Sequence, residues 1–285
     1  MQVPKDETSE LDRGGKAYLV RSVVKAFSIL ELFGDERKTL SAAEITQLTG
    51  ENRATSYRFC QTLVALGYLE QMPNSQYRMG YKSLRLAHAA IAGQELPEIA
   101  RPILEALRDQ TGETVNMAVR DAGEIVYVVR LKTSQILNIG LSVGSRLPLH
   151  ATSLGKAILA FLPKDEQERI IDSIQLDRLT ENTVQRKSEL SRQLSVIREL
   201  GFSLNLEELS LGLRGVAAPI LDVAGYPVAA INIALTRPAS SEELESTLAP
   251  LVVKAADEIS ERAWHADLPG GPAERRTSST KEVSG

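Results

Sequence analysis

Residues 41 to 67 carry helix-boundary signals so closely spaced that few folds can accommodate them. Ser41-Ala-Ala-Glu44 is a capping box, and Leu40 before it can staple to Ile45, which opens a short helix stopping at Thr49-Gly50. Asn52 can cap a second helix that runs to Leu66 and ends at Gly67, a residue tolerant of the left-handed terminator. Two helices joined through Gly50-Glu51 form a helix-turn-helix. Upstream, Val20, Val23, Val24, Phe27 and Leu30 recur at helical spacing, predicting an amphipathic helix over 17–33 that ends at Gly34. Downstream, residues 68–71 and 76–79 flank Met-Pro-Asn-Ser and predict a hairpin of wing size. Together they make residues 16–80 a winged helix.

On the second helix of that pair, Ser56, Phe59, Cys60, Leu63 and Leu66 fall on one side and predict the core-facing surface. Arg53, Ala54, Tyr57, Arg58 and Gln61 are then left outward, a face with guanidinium groups, small residues and no acid. Such a face suits phosphates and guanine edges in a major groove. The candidate DNA contacts are Arg53, Ala54, Thr55, Tyr57 and Arg58 on the helix and Gln76 and Arg78 on the hairpin. A protein-interaction role remains the alternative for a winged helix.

Charge supports the first reading weakly. The whole chain carries −4, yet residues 16–85 hold ten Lys and Arg against six Asp and Glu, so the excess of base is local to the winged helix. A hydrophobic content of 43% over 285 residues is enough for two ordinary cores. No apolar run approaches the ~20 residues of a membrane span, and the chain is expected to work in the cytoplasm. With one cysteine, Cys60, no internal disulfide is available, and with His88, His150 and His265 scattered, no metal site or cofactor is legible. Cys60, on the inward face, is expected to be a small buried hydrophobe. Polar tails are expected at 1–15 and 267–285.

Beyond the winged helix, residues 81–92 predict a helix, within a linker over 81–96, and a break at 93–97 precedes a helix over 98–111. The period then changes. Strands are predicted at 115–120, 125–131, 136–141, 202–206, 216–222 and 228–235, and helices at 154–162, 164–174, 188–201 and 240–265. Residues 97–266 thus predict an α+β domain on an antiparallel sheet.

Ser153-Leu-Gly-Lys156 within this domain has the Ser-x-x-Lys spacing of a serine acyl-transferase, in which the lysine amine takes the hydroxyl proton. Ser203-Leu-Asn205 and Lys132-Thr-Ser134 resemble the accompanying elements, but the Lys-Thr element precedes the serine and ends in Ser rather than Gly. A P-loop would need Gly at 150 and Ser or Thr at 157, where His150 and Ala157 stand. The simpler expectation is that Ser153 caps the helix and Lys156 is solvated, with a serine hydrolase using Ser153 and Lys156 as the alternative. Glu207 and Glu208 look like catalytic carboxylates, but nothing places them in a cleft, and they are expected to be structural.

Three ordered motifs resemble the IclR family of bacterial transcriptional regulators over residues 17–265: His150-Ala-Thr-Ser-Leu-Gly-Lys-Ala-Ile-Leu-Ala160, Gly201-Phe-Ser-Leu-Asn-Leu-Glu-Glu208, and Gly212-Leu-Arg-Gly-Val-Ala-Ala-Pro-Ile220, closed by Gly225-Tyr-Pro-Val-Ala-Ala-Ile-Asn232. The resemblance implies a winged helix-turn-helix, a dimerising linker helix, and a GAF-like effector domain that binds a small, usually acidic metabolite. It also implies a dimer or tetramer on double-stranded, pseudo-palindromic operator DNA. Where family members that sense small oxo-acids carry Asp, Cys and two Ser, this chain has Asn205, Gly215, Asn232 and Ala234. That departure implies a roomier, less acidic pocket and resembles the branch regulating aromatic-acid catabolism. The candidate effector contacts are these four with Met117, Arg130, His150, Ala151, Thr152 and Ser153. An anion is expected at the start of the helix that Ser153 opens. The face of Arg130 in its strand is left open, with a structural ion pair as its other reading.

Overall fold

The computed structural model describes residues 19–34, 37–92, 95–133 and 141–265. The tails expected at 1–15 and 267–285 lie outside the described residues, as does nearly all of the strand expected at 136–141. The chain divides into two compact units, residues 1–93 and 94–285.

In the first unit, helix α1 (Arg21–Leu30) precedes β1 (Leu40–Ser41), α2 (Ala42–Thr49), α3 (Arg53–Ala65), β2 (Leu69–Gln71), β3 (Gln76–Met79) and α4 (Ser83–Ala92). The capping box forms as the sequence requires. The Ser41 N–H donates to Glu44 Oε2 at 2.7 Å while Ser41 Oγ accepts from the Glu44 N–H at 3.3 Å. Gly50 takes φ 68°, the left-handed turn that separates the two helices. Asn52 Oδ1 then accepts from the Thr55 N–H at 2.8 Å, a cap of the kind that contributes about 1 kcal/mol. Ile29, Leu32, Leu40, Ile45, Cys60, Leu63, Leu69 and Tyr77 form the core. The antiparallel sheet runs β1-β3-β2; β1, only two residues long, is too short to leave a periodic signal. Two expectations on α3 are corrected. Leu66, expected inward, is 49% exposed because it is the cap residue at which the chain leaves the helix. Gln61, expected outward, is half-buried and donates to Gln71 Oε1 and Tyr77 Oη at 3.1 Å each, which fastens α3 to the hairpin.

The second unit begins with α5 (Glu95–Thr111). Pro97, expected to lie in a break, sits in its first turn, where a missing N–H costs nothing. Strands β4 (Thr114–Asp121), β5 (Glu124–Leu131), β6 (Arg146–Pro148), β7 (Ser203–Leu206), β8 (Arg214–Leu221) and β9 (Pro227–Leu235) form an antiparallel sheet in the order β6-β5-β4-β9-β8-β7. One face packs on α5 and the C-terminal helix α10 (Ala249–His265) through residues such as Leu104, Val115, Ile231 and Ile259. The other packs on α6 (Ser153–Phe161), α7 (Lys164–Ser173) and α8 (Lys187–Leu200) through Ala118, Tyr127, Leu154, Ile158 and Leu190. This is the α+β architecture expected. The expected helix over 240–265 is interrupted: after α9 (Ser241–Glu243), residues Leu244–Leu248 form a π-turn. Pro250 explains it, because proline cannot donate to, and crowds, the carbonyl four residues back.

Candidate functional site

Arg53, Ala54, Tyr57 and Arg58 are all exposed on α3, and among the described residues neither arginine has an acidic partner. Glu51, the nearest acid in sequence, is held by Lys25 at 2.7 Å. Thr55 is half-buried in the first turn. On the hairpin, Arg78 is not free: its guanidinium forks onto the Glu70 carboxylate directly across the strand pair at 2.9 to 3.0 Å. Gln76 Oε1 accepts from Asn74 within the turn at 3.0 Å.

The second site is built on the sheet face under α6. Met117 opposes Val129 and Ala118 opposes Tyr127, so Val128 is an extra residue, a bulge in β5. The bulge turns both Tyr127 and Arg130 toward the same face, with the Arg130 guanidinium 5.7 Å from the Tyr127 ring centroid. The side of Arg130 left open by simple alternation is thereby settled. Arg130, Asn116 and Asn232 stand in register across β5, β4 and β9, and a directed chain of hydrogen bonds joins them. Arg130 Nη1 donates to Asn116 Oδ1 at 2.7 Å, Asn116 Nδ2 to Asn232 Oδ1 at 2.8 Å, and Asn232 Nδ2 lies 3.5 Å from Ser153 Oγ. Among the described residues Arg130 has no carboxylate partner and its covered Nε has no hydrogen-bond acceptor, and burial pulls its pKa down. The structural ion pair considered for it is not found among the described residues.

Tyr127, Arg130 and Asn232 line a cavity of about 50 Å³, in which Leu141, Leu154, Leu209 and Leu213 supply apolar walls and Thr114, Thr152 and Thr236 supply hydroxyls. Of the expected effector contacts, Arg130, Thr152, Asn205, Asn232 and Ala234 line it, and Ser153 stands beside Asn232. Asn205 is already committed, donating to the Ala151 carbonyl at 2.7 Å and accepting from the Glu208 N–H at 3.1 Å. Four residues lie elsewhere. Met117 points to the opposite face, among the residues packed on α5 and α10. His150 is buried with Nε2 3.1 Å from the Asp177 carbonyl, and burial lowers its pKa. Ala151 offers the site no side chain of its own and gives its carbonyl to Asn205. Gly215 does not open space: a Cβ there would meet the Ile233 carbonyl oxygen at 3.0 Å and Ser153 Oγ at 3.5 Å, so the glycine lets β8 approach α6 closely.

Sequence reasoning missed Asn116, Tyr127, Thr114 and the leucines. Asn116, a polar residue inside the apolar run of β4, carried a usable signal; Leu141, Leu209 and Leu213, on loops, carried none.

Around Ser153 two expectations are corrected. Thr152, not Ser153, caps α6, accepting from the Gly155 N–H at 3.0 Å, which removes one donor from any anion at that end. Lys156 is not solvated. Its ammonium is buried, 2.5 Å from Glu208 Oε1, because the turn carrying Glu208 is clamped over α6 by Thr183 Oγ1 donating to the Glu208 carbonyl at 2.7 Å. Ser153 Oγ faces Asn232, and Ser203 Oγ donates to the Ser153 carbonyl at 2.5 Å, so no Ser-Lys proton-transfer pair is assembled. Glu207 is likewise structural: it pairs with Arg214 at 2.8 Å, which holds its pKa below the usual carboxylate range.

A winged helix with an unneutralised guanidinium face, and a separate α+β unit holding a polar cavity, are the two parts of a ligand-responsive transcription factor. The chain belongs to the IclR family. The family's helix-turn-helix domain matches residues 22–73, and the domain described as "Bacterial transcriptional regulator IclR C-terminal" matches residues 88–261. It is 32% identical over 251 residues to the HTH-type transcriptional regulator KdgR of Escherichia coli, covering 88% of this chain and 95% of that one. It is 31% identical over 246 residues to the p-hydroxybenzoate hydroxylase transcriptional activator of Acinetobacter baylyi, covering 84% and 90%. Among solved structures, the regulator RHA06195 from Rhodococcus sp. RHA1 superposes with a TM-score of 0.75 at 32% identity, covering 87% of this chain and all of that one. Among the described residues no helix is long and apolar enough to cross a membrane.

Proposed function

We propose that this regulator works in the cytoplasm as a symmetric oligomer, without enzymatic activity, and that an aromatic carboxylic acid bound on the β4/β5/β9 face sets its occupancy of a pseudo-palindromic operator. The exposed Arg53 and Arg58 of α3 carry the DNA half of this reading, reaching phosphates or guanine edges while Ala54 permits close approach. Exposed Val20 at the cap of α1, Val23 and Phe27 on α1, and Leu84 and Leu86 on α4 offer the apolar surface of an oligomer contact. The effector half rests on a cavity that combines an unpaired guanidinium with leucine walls and a tyrosine ring. Its relative described as the p-hydroxybenzoate hydroxylase transcriptional activator supports the aromatic class.

The test is a thermal-shift panel of benzoates against glyoxylate and pyruvate, followed by operator binding with the acids that stabilise. A ligand of the folded state raises Tm with concentration. Saturable stabilisation by an aromatic acid that also changes operator affinity is expected. Stabilisation by glyoxylate or pyruvate alone would overturn the aromatic reading.

A further inference from the structure

Charge around the cavity does not balance. Glu113 lines it but is held by Arg237 at 2.6 Å, and Arg214 lines it but is held by Glu207 at 2.8 Å. Among the described lining residues this leaves Arg130 as the cation without an acid. A guanidinium has five N–H donors, and Arg130 uses one of them, on Asn116. The bond to Asn116 also fixes the direction of the whole chain. Because Asn116 turns its oxygen to Arg130, its amide NH2 must face Asn232, and Asn232 in turn presents its own NH2 toward Ser153. Each amide keeps a second N–H, so the floor beneath the cavity is rich in donors and poor in acceptors. A half-buried, donor-rich floor with one uncompensated positive charge is an incomplete anion site.

We propose that Arg130 is the anchor for a single carboxylate, docked on the side of the guanidinium that Asn116 does not hold, so that the cavity selects monoanions over both neutral isosteres and dianions. The proposal rests on the effector reading above and specifies the charge of the ligand. A neutral amide in place of the carboxylate leaves Arg130 uncompensated. A second carboxylate would find no further uncompensated cation among the described lining residues, because Arg214 is already paired with Glu207. Asn116 sets the availability of the anchor. Replacing its amide oxygen, 2.7 Å from Nη1, with a carboxylate oxygen completes the ion pair internally.

The experiment uses the full chain and calorimetric titration with 4-hydroxybenzoate, its neutral analogue 4-hydroxybenzamide, the dianion terephthalate, and pyruvate. The expected result is that 4-hydroxybenzoate binds the wild type and that the amide and terephthalate bind roughly 10- to 100-fold more weakly, the range for losing a hydrogen-bonded charge partner. Arg130→Gln and Asn116→Asp are each expected to lose 4-hydroxybenzoate to a similar extent. Asn116→Asp is the second variant should Arg130→Gln not express: it exchanges the Asn116 Nδ2 bond to Asn232 for an ion pair with Arg130, and its melting transition is compared with that of the wild type. Wild-type-like 4-hydroxybenzoate affinity in Asn116→Asp, or equal affinity for the amide, would overturn the anchor and leave the effector reading standing. Binding of pyruvate alone, abolished by Asn116→Asp, would keep the anchor and remove the aromatic reading. Absence of binding by any of the four would overturn both.

Discussion

Replacing Glu208 with Gln tests the arrangement that separates this domain from a Ser-Lys enzyme. Lys156 and Glu208 side chains are only 4% and 9% exposed and 2.5 Å apart, and Glu208 Oε2 is buried without a partner among the described residues. Incomplete satisfaction makes the pair a weak net stabiliser relative to apolar packing, but removing one member strands the other charge at a cost of about 3–5 kcal/mol. For a unit of this size each kcal/mol moves Tm by about 2–4 °C, so the effector-domain transition is expected to fall by about 6–20 °C. Scanning calorimetry of the full chain reads this, with the two units treated as separate transitions. The backbone clamps on Glu208, from Thr183 and Asn205, are unaffected by the substitution. The double variant Lys156→Met/Glu208→Leu, which removes both charges, is expected to recover most of the loss. A Tm change under about 2 °C for Glu208→Gln, below the shift that 1 kcal/mol produces, would show that water reaches the pair and refute the reasoning.

Gly155→Ala is expected to destabilise the effector domain more than an ordinary helix substitution, because its Cβ would meet the Leu149 carbonyl oxygen at 2.3 Å and Cα at 2.5 Å; an unchanged melting curve refutes the close approach. His150 loses basicity on burial, so the folded chain resists the proton that the unfolded chain accepts below its ordinary value of 6.5. Stability is therefore full above about pH 6.5 and falls as pH drops from there toward the depressed folded pKa, a decline that His150→Gln should flatten and that an identical pH profile in the variant would refute. Glu70→Gln releases Arg78 from its fork and is expected to steepen the salt dependence of operator binding by about one phosphate contact, read by anisotropy at several salt concentrations. An unchanged slope would mean that Arg78 does not reach DNA.

Where the sequence signal was local, the structure follows it. The capping box at Ser41, the Asn52 cap and the hairpin around Met-Pro-Asn-Ser all use partners within a few residues, and each forms at its expected place. Errors gather where partners are distant or a single residue shifts the frame. Lys156 looked solvated because Glu208 is 52 residues away, and Leu66 looked buried because a helical wheel continues past the residue where the helix ends. The bulge at Val128 is invisible to alternation in the run Ile-Val-Tyr-Val-Val-Arg-Leu, yet it brings Tyr127 and Arg130 onto one face. Gly215 was read as volume removed, whereas neighbouring backbone already occupies that volume. Five of the ten expected effector contacts line the cavity and were thus legible as residue types, and the directed chain through Asn116 needed the register.

The account stands most directly on α3 as the DNA-reading helix, and titration of labelled DNA from upstream of the gene with wild type, Arg53→Ala and Arg58→Ala across a salt series tests it. Each arginine that reads a base is expected to cost about 1–3 kcal/mol with relaxed sequence preference, and each that holds a phosphate to reduce the salt slope by about one, with folding unchanged. Unaltered affinity and slope in both variants would contradict it.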